Sequence, residues 1–247
     1  MRIINSFPSV FFILMSTALL FAADTDETAF NAWKKDQKLP VYRVKTVASA
    51  PILDGKIDPL YAEIGTPLKL VFNDGYPGEL NCPTTLYALC DGKALYIAAE
   101  CVTGDPSRLI AARTKRDDSV WMDECVELFC NPTGKRDMKY FIIQVNAAGV
   151  IQDAKNKDDI SWNADIEAKT DRTDKAWVVE LKIPLADLGC VKGSTKKVWT
   201  VNFTRSARDM DDPDIAEDQA WSPTKTSTSH IPDMFGTLWL DAGDVLP

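Results

Sequence analysis

One histidine, His230, serves the whole 247-residue chain, and the six cysteines fall at spacings that match no zinc site. Both shortages argue against zinc. There is no Cys-x-x-Cys-His run for covalent haem attachment, no glycine loop to cradle phosphate, and no nucleophile beside an activating base. Positive charge is also in deficit, with 28 Lys and Arg against 36 Asp and Glu, a net charge of −8 and a pI near 4.8. Phosphate backbones and anionic lipid need a basic surface, so nucleic acid and membrane are poor partners. Internal repeats and low-complexity tracts are lacking as well.

The one long apolar run lies at the start. Arg2 precedes Val10–Met15, the run continues through Leu19-Leu20-Phe21, and Ala22-Ala23 comes before acidic Asp24. Residues 1–23 therefore read as a secretory signal peptide, with an uncleaved anchor as the alternative. The expected destination is outside the cell or the periplasm. No cysteine stands at the cleavage point to carry a bacterial-type lipid. All six cysteines lie beyond it, where an oxidising compartment permits disulfides. Six allow 15 connectivities. If Thr84–Cys90 and Ala94–Val102 form a hairpin about Asp91-Gly92-Lys93, Cys82 and Cys101 fall almost opposite each other; buried thiols on strands are the alternative.

Residues 24–40 are polar and read as a flexible lead-in to a domain over 41–243. Leu86–Cys90 and Leu95–Cys101 flank an Asp-Gly turn, a strong hairpin cue. Val126–Cys130 and Tyr140–Asn146 form the next pair. Trp177, Val179, Leu181 and Ile183 alternate onto one face, and Trp199–Phe203 repeats the pattern. Short helices are suggested around 58–64 and 184–188. About ten short strands with turn chemistry between them predict an all-β fold, an antiparallel β-sandwich with one or two short helices. The segments of weakest periodicity, Thr103–Met122 and Ala207–Asp233, each contain or lead to a tryptophan with acidic and polar neighbours: Trp121 and Trp221.

Indoles on loops beside carboxylates and amides suit a sugar, which offers apolar C–H faces and hydroxyls. Here the chain resembles a known family. Ala50-Pro-Ile-Leu-Asp-Gly-Lys-Ile-Asp58, Trp121 to Pro132, Trp177-Val-Val-Glu-Leu-Lys-Ile-Pro184 with Leu188-Gly189, Trp199-Thr-Val-Asn-Phe-Thr-Arg205, Trp221-Ser-Pro, and His230 through Phe235-Gly236 together resemble carbohydrate-binding module family 9-like domains, which are related to DOMON-like sandwiches. The resemblance covers about residues 41–243. It implies a β-sandwich that grips a sugar between two tryptophans, placed here at Trp121 and Trp221. Glu127 corresponds to the glutamate six residues past the first tryptophan. The family's polar Arg-Val-Asn strand reads Gln144-Val145-Asn146 here, and Asp218 replaces an asparagine upstream of the second tryptophan. The resemblance also implies a grip often made at a sugar's reducing end; the Arg-to-Gln exchange removes a charged fork donor and weakens the case for that preference here.

Two rings that each remove on the order of 100 Å² from water would contribute about 5 kcal/mol. Association costs at least about 4 kcal/mol. Hydrogen bonds from Glu127, Gln144 and Asn146 to hydroxyls must supply the surplus, so the expected affinity is modest. The resulting reading is an exported, noncatalytic carbohydrate-binding protein that supports polysaccharide binding or breakdown, with an oligo- or polysaccharide as partner and secreted glycoside hydrolases as candidate companions. No cofactor is required. The acidic run Asp209–Asp214 with Glu217 and Asp218 offers the oxygen ligands of a structural calcium, but lacks the EF-hand glycine. The alternatives are a haem-binding electron-transfer domain using His230, Met234, Met210 or Met122, and glycoside hydrolysis by a carboxylate pair.

Overall fold

The structure is a computed structural model that describes residues 26–190, 197–208 and 216–241. It divides into a leading segment, residues 1–38, and a body, residues 39–247. In the leading segment residues 26–34 are helical, where the polar composition predicts a flexible lead-in. Three-residue spacing stacks Phe30 and Trp33 on one side of that helix, ring centroids 6.2 Å apart.

The described residues of the body carry thirteen strands: β1 (Val41–Thr46), β2 (Leu68–Lys69), β3 (Val71–Phe72), β4 (Thr84–Cys90), β5 (Ala94–Val102), β6 (Cys125–Asn131), β7 (Phe141–Asn146), β8 (Ile151–Lys155), β9 (Glu167–Arg172), β10 (Ala176–Pro184), β11 (Val198–Arg208), β12 (Ala216–Ala220) and β13 (Gly236–Leu240). They pair in the order β8-β7-β6-β11-β13-β1-β4-β5-β10-β9, with β2 added to β4, β12 to β11, and β3 to β12. The fold is all-β as expected, but mixed rather than purely antiparallel, and its layers are continuous. β1 is the reason. Its first half pairs in parallel with β13 (Val41↔Thr237) and its end pairs in parallel with β4 (Thr46↔Cys90). One strand thus passes from layer to layer.

Between the layers lies the main core. Leu86, Ile97 and Ala99 face it from one layer, Leu128, Ile143 and Val145 from the other. The predicted alternation holds: Trp177, Val179, Leu181 and Ile183 all enter this core, as do Trp199, Val201 and Phe203. A second cluster, Tyr61 with Leu89, Tyr96 and Ala98, lies under the short helix Pro59–Ile64. Asp58 caps that helix through the Leu60 N–H, 2.9 Å away. Residues 185–188 form turns instead of the second expected helix, with the Asp187 N–H on the Pro184 carbonyl at 3.2 Å.

A buried ion pair ties the layers together. The Arg205 guanidinium and the Glu124 carboxylate lie 2.6 Å apart, with side chains 0% and 1% exposed. Arg205 also donates to the carbonyls of Cys82 and Val102, both at 2.9 Å. Glu124 accepts from the Trp177 indole at 3.0 Å and from the Arg208 backbone N–H at 2.8 Å. On the opposite face of β10, the backbone N–H groups of Asp54 and Gly55 donate to Glu180. Gly55 is held at φ 91°, where a Cβ would stand 3.1 Å from the Thr170 carbonyl. That close approach, with the positive φ, is why glycine is needed at position 55 of the opening motif.

The hairpin register corrects the cysteine expectation. Cys101 faces Thr84, so Cys82 lies two residues beyond the position required, and its carbonyl is engaged by Arg205 and Gln219. Among the described residues there is no disulfide. Burial pushes the Cys101 thiol up to about 12.

Candidate functional site

The outer face of the β8-β7-β6-β11-β12 layer carries a cavity of about 540 Å³, within the range of small-molecule sites. Period-two alternation builds its floor. Val126, Leu128 and Cys130 point into the core, so Glu127 and Phe129 point out. Pairing then aligns rows across the sheet, since directly opposed residues share a face. Glu127 opposes Gln144, which opposes Gln152; Phe129 opposes Ile142, which opposes Ala154; Ser206 opposes Asp218. A polar row therefore runs beside an apolar one. Trp121, Lys157, Asp158, Ile160 and residues 227–230 add walls.

Glu127 is buried, and burial raises its carboxyl above the ordinary range, with the Asp218 charge adding to the effect. Gln144 Nε2 donates to one carboxylate oxygen at 2.5 Å and the Thr204 hydroxyl to the other at 3.2 Å, both opposing the rise. Each oxygen keeps acceptor capacity, since a carboxylate offers about four lone-pair sites. The Gln152 carbonyl is occupied by the Val120 N–H at 3.0 Å, leaving its amide protons as the donor for a ligand. Asp218 accepts from the Ser206 hydroxyl at 3.1 Å.

Trp121 is held at the rim by its backbone. It sits in a single 3-10 turn, Val120–Met122, with Val120 buried beneath. Arg208 donates to the Trp121 carbonyl at 3.0 Å, and the residue is 49% exposed. Asn146 braces the turn from behind. Its amide donates to Asp123 Oδ2 at 2.8 Å and to the Arg113 carbonyl at 3.0 Å, and its Oδ1 accepts from the Ala148 and Val150 N–H groups. Asp123 is then fixed by the Arg113 guanidinium at 2.9 Å. Asn146 is fully buried and lies outside the cavity lining; the expectation that it orients hydroxyls gives way to a supporting role.

Trp221 departs from expectation more sharply. It is not a cavity wall. Its ring packs edge-on to Tyr42, centroids 6.3 Å apart, and tilted against Phe203 at 6.1 Å. Alternation explains the difference. Asp218 faces the cavity, so Gln219, bonded to Thr84 and Cys82, faces inward, and Trp221 follows two residues on. Gly236 makes room for the indole: a Cβ there would stand 2.5 Å from Cζ3 of Trp221. Gly236→Ala is expected to cost roughly 1–3 kcal/mol by overpacking, seen as a lower Tm in thermal unfolding. An unchanged Tm would contradict this packing.

A profile described as carbohydrate family 9 binding domain-like matches residues 52–242. The chain belongs to that family. Solved structures agree on the fold. A carbohydrate binding module family 9 from Caldicellulosiruptor kristjanssonii in complex with cellotriose has a TM-score of 0.60 and 17% identity, covering 81% of this chain and 93% of its own. The same kind of module from that organism with glucose gives 0.58 and 17%, covering 80% and 95%. A Bacteroides uniformis protein gives 0.61 and 18%, covering 82% and 100%. No curated protein matches.

Of the six residues expected in this family 9 domain's site, the structure brings Trp121, Glu127, Gln144 and Asp218 to one cavity and leaves Asn146 and Trp221 outside it. Phe129, Ile142, Gln152, Ser206, Arg208 and His230 went unpredicted. Extending the alternation of Glu127 and Gln144 by two residues points to Phe129 and Ile142. The acidic run proposed for calcium lies mostly in residues 209–215, outside the described residues. Among the described residues no cluster of three or more metal-ligating acids, cysteines or histidines occurs. Of the candidate haem ligands, Met210 also lies outside them, and the Met122 sulfur accepts from Arg113 at 3.0 Å.

Proposed function

We propose that this protein is an exported, noncatalytic carbohydrate-binding domain that holds a sugar on the floor formed by Glu127, Gln144 and Gln152, with the Trp121 indole against one C–H face. The observation that carries this reading is the polar row beside an apolar row, under an exposed indole, in one cavity of sugar-binding size. The hydrophobic leader at residues 1–23 supports export, and the family's sugar-bound structures support the ligand class. A supporting role in polysaccharide breakdown, beside secreted hydrolases, is part of the same proposal.

One indole rather than two changes the expected strength. Burial of about 100 Å² contributes about 2.5 kcal/mol, less than the cost of association. Hydrogen bonds to the Glu127 carboxylate, about 1.5–3 kcal/mol each, must then decide the affinity. Glu127→Gln is expected to weaken glycan binding at least tenfold in titration calorimetry, using the best ligand from a glycan array. A variant that binds as tightly as the parent would remove Glu127 from the site.

Acidity gives a second check. Because burial raises the folded Glu127 carboxyl, the native state takes up its proton more readily than the unfolded chain. This group therefore favours the fold below the ordinary carboxylate range, and its contribution is lost as pH rises through the raised value. Binding runs the other way, since hydroxyl donors prefer the carboxylate. Affinity is expected to fall on acidification through the raised carboxyl range, and Glu127→Gln is expected to flatten that profile. A parent affinity flat from neutral to acid pH would refute it.

A further inference from the structure

His230 faces the cavity with only one of its ring nitrogens already engaged by a described residue. Nδ1 lies 2.8 Å from the Tyr140 hydroxyl. The ring stands edge-on to Phe129, centroids 5.2 Å apart at 83°, and the His230 backbone N–H is tied to the Thr228 hydroxyl at 3.2 Å. The imidazole is thus fixed in orientation while remaining part of the cavity lining. Tyr140 itself is fully buried among Phe129 and Phe235. Burial raises its pKa, so the phenol keeps its proton at neutral pH.

That proton determines the tautomer. Among the described residues Nδ1 is the one acceptor within reach of the Tyr140 hydroxyl. If Nδ1 carried a hydrogen, the phenolic proton would be left without an acceptor in a buried setting, which is costly. Nδ1 therefore accepts, and the neutral ring bears its hydrogen on Nε2. Burial and Lys157 both lower the His230 pKa, while Asp158 opposes them; these two charged groups and Tyr140 are its titratable neighbours. The ring is uncharged at neutral pH.

Position adds to the chemistry. Trp121 stands where the chain enters β6 near Cys125, whereas His230 rests on Phe129, four residues along that strand. At about 3.3 Å per residue this is roughly 13 Å. The polar row of Glu127 lies between.

We propose that His230 is a ligand-contacting residue of this cavity, offering its Nε2–H as a hydrogen-bond donor to a sugar hydroxyl or ring oxygen, and that Tyr140 is the positioning residue that holds it in that form. The inference rests on the carbohydrate-binding reading above. It gives the site a second fixed group, a neutral donor, in place of the second indole.

The sole histidine makes the test direct. The full chain, untagged and 15N-labelled, is examined by long-range 1H–15N correlation with cellotriose as the probe, while the ligand-dependent part of the intrinsic tryptophan fluorescence, absent in Trp121→Phe, is followed in parallel. The expected result is an Nε2–H imidazole in the free protein, imidazole signals that shift with cellotriose at the same midpoint as the fluorescence, and a mixed tautomer in Tyr140→Phe. His230→Ala should weaken cellotriose at least fivefold, with partial recovery in His230→Gln, which keeps an N–H donor at similar reach. If fluorescence responds while the imidazole signals stay fixed, this inference is wrong and the cavity reading stands. If neither responds, both fall. An Nδ1–H tautomer in the free protein would overturn the role given to Tyr140.

Discussion

Glu124→Ala should lower the unfolding free energy by about 3–5 kcal/mol, the range for breaking a buried ion pair from one side. The loss is large because Glu124 serves three donors at once. Its removal leaves the Arg205 guanidinium, whose side chain is 0% exposed, without its carboxylate. It also takes the acceptor from the Trp177 indole and from the Arg208 N–H. The Arg205 guanidinium and the Trp177 indole cannot turn to water without parting the layers. Replacing both partners with apolar residues of similar volume should cost much less, because no uncompensated charge remains. Urea denaturation of the two variants measures the contrast. An alanine variant within about 1 kcal/mol of the parent would show that solvent reaches the pair.

Trp121→Ala and Trp221→Ala should part in opposite directions. The first removes an exposed ring from the cavity rim, so glycan affinity should fall at least tenfold while the unfolding free energy stays within about 0.5 kcal/mol of the parent. The second empties a packed position between Tyr42 and Phe203. The ring is only partly buried, so the change should cost up to about 3 kcal/mol, the low end for tryptophan truncation in cores, and leave the affinity of the surviving folded fraction nearly unchanged. Calorimetric titration and denaturant melts of the two proteins separate the outcomes. If Trp221→Ala abolishes binding without loss of stability, the two-indole clamp is restored.

These contrasts show what the chain discloses by itself. Strands with an apolar face were legible: β10 alternates Trp177, Val179, Leu181 and Ile183, and all four are core. Polar strands were not. β9 reads Glu-Ala-Lys-Thr-Asp-Arg with little of it buried, and β8 reads Ile-Gln-Asp-Ala-Lys, so neither shows the apolar periodicity that marks a strand. Leu68–Phe72 looks like one strand yet divides, because β2 pairs with β4 and β3 with β12. Floor residues of the site were within reach, since Glu127 and Gln144 sit where hydrophobic neighbours point the other way. Trp221 was not. A tryptophan beside irregular sequence has the same local signature whether it faces a ligand or a core, and only its phase along β12 distinguishes them. His230 was hidden for the same reason: its neighbours in space, Phe129 and Tyr140, come from strands far off in sequence.

The path of β1 bears on how the body comes apart. Val41–Val44 are stitched to β13 and Lys45–Thr46 to β4, so neither layer can peel away without tearing a segment that the other also grips. Opening should be all-or-none. In native-state hydrogen exchange the slowest amides of β4 and β13 are expected to share one free energy of release, and a body shortened to begin at Val47 is expected not to assemble either half.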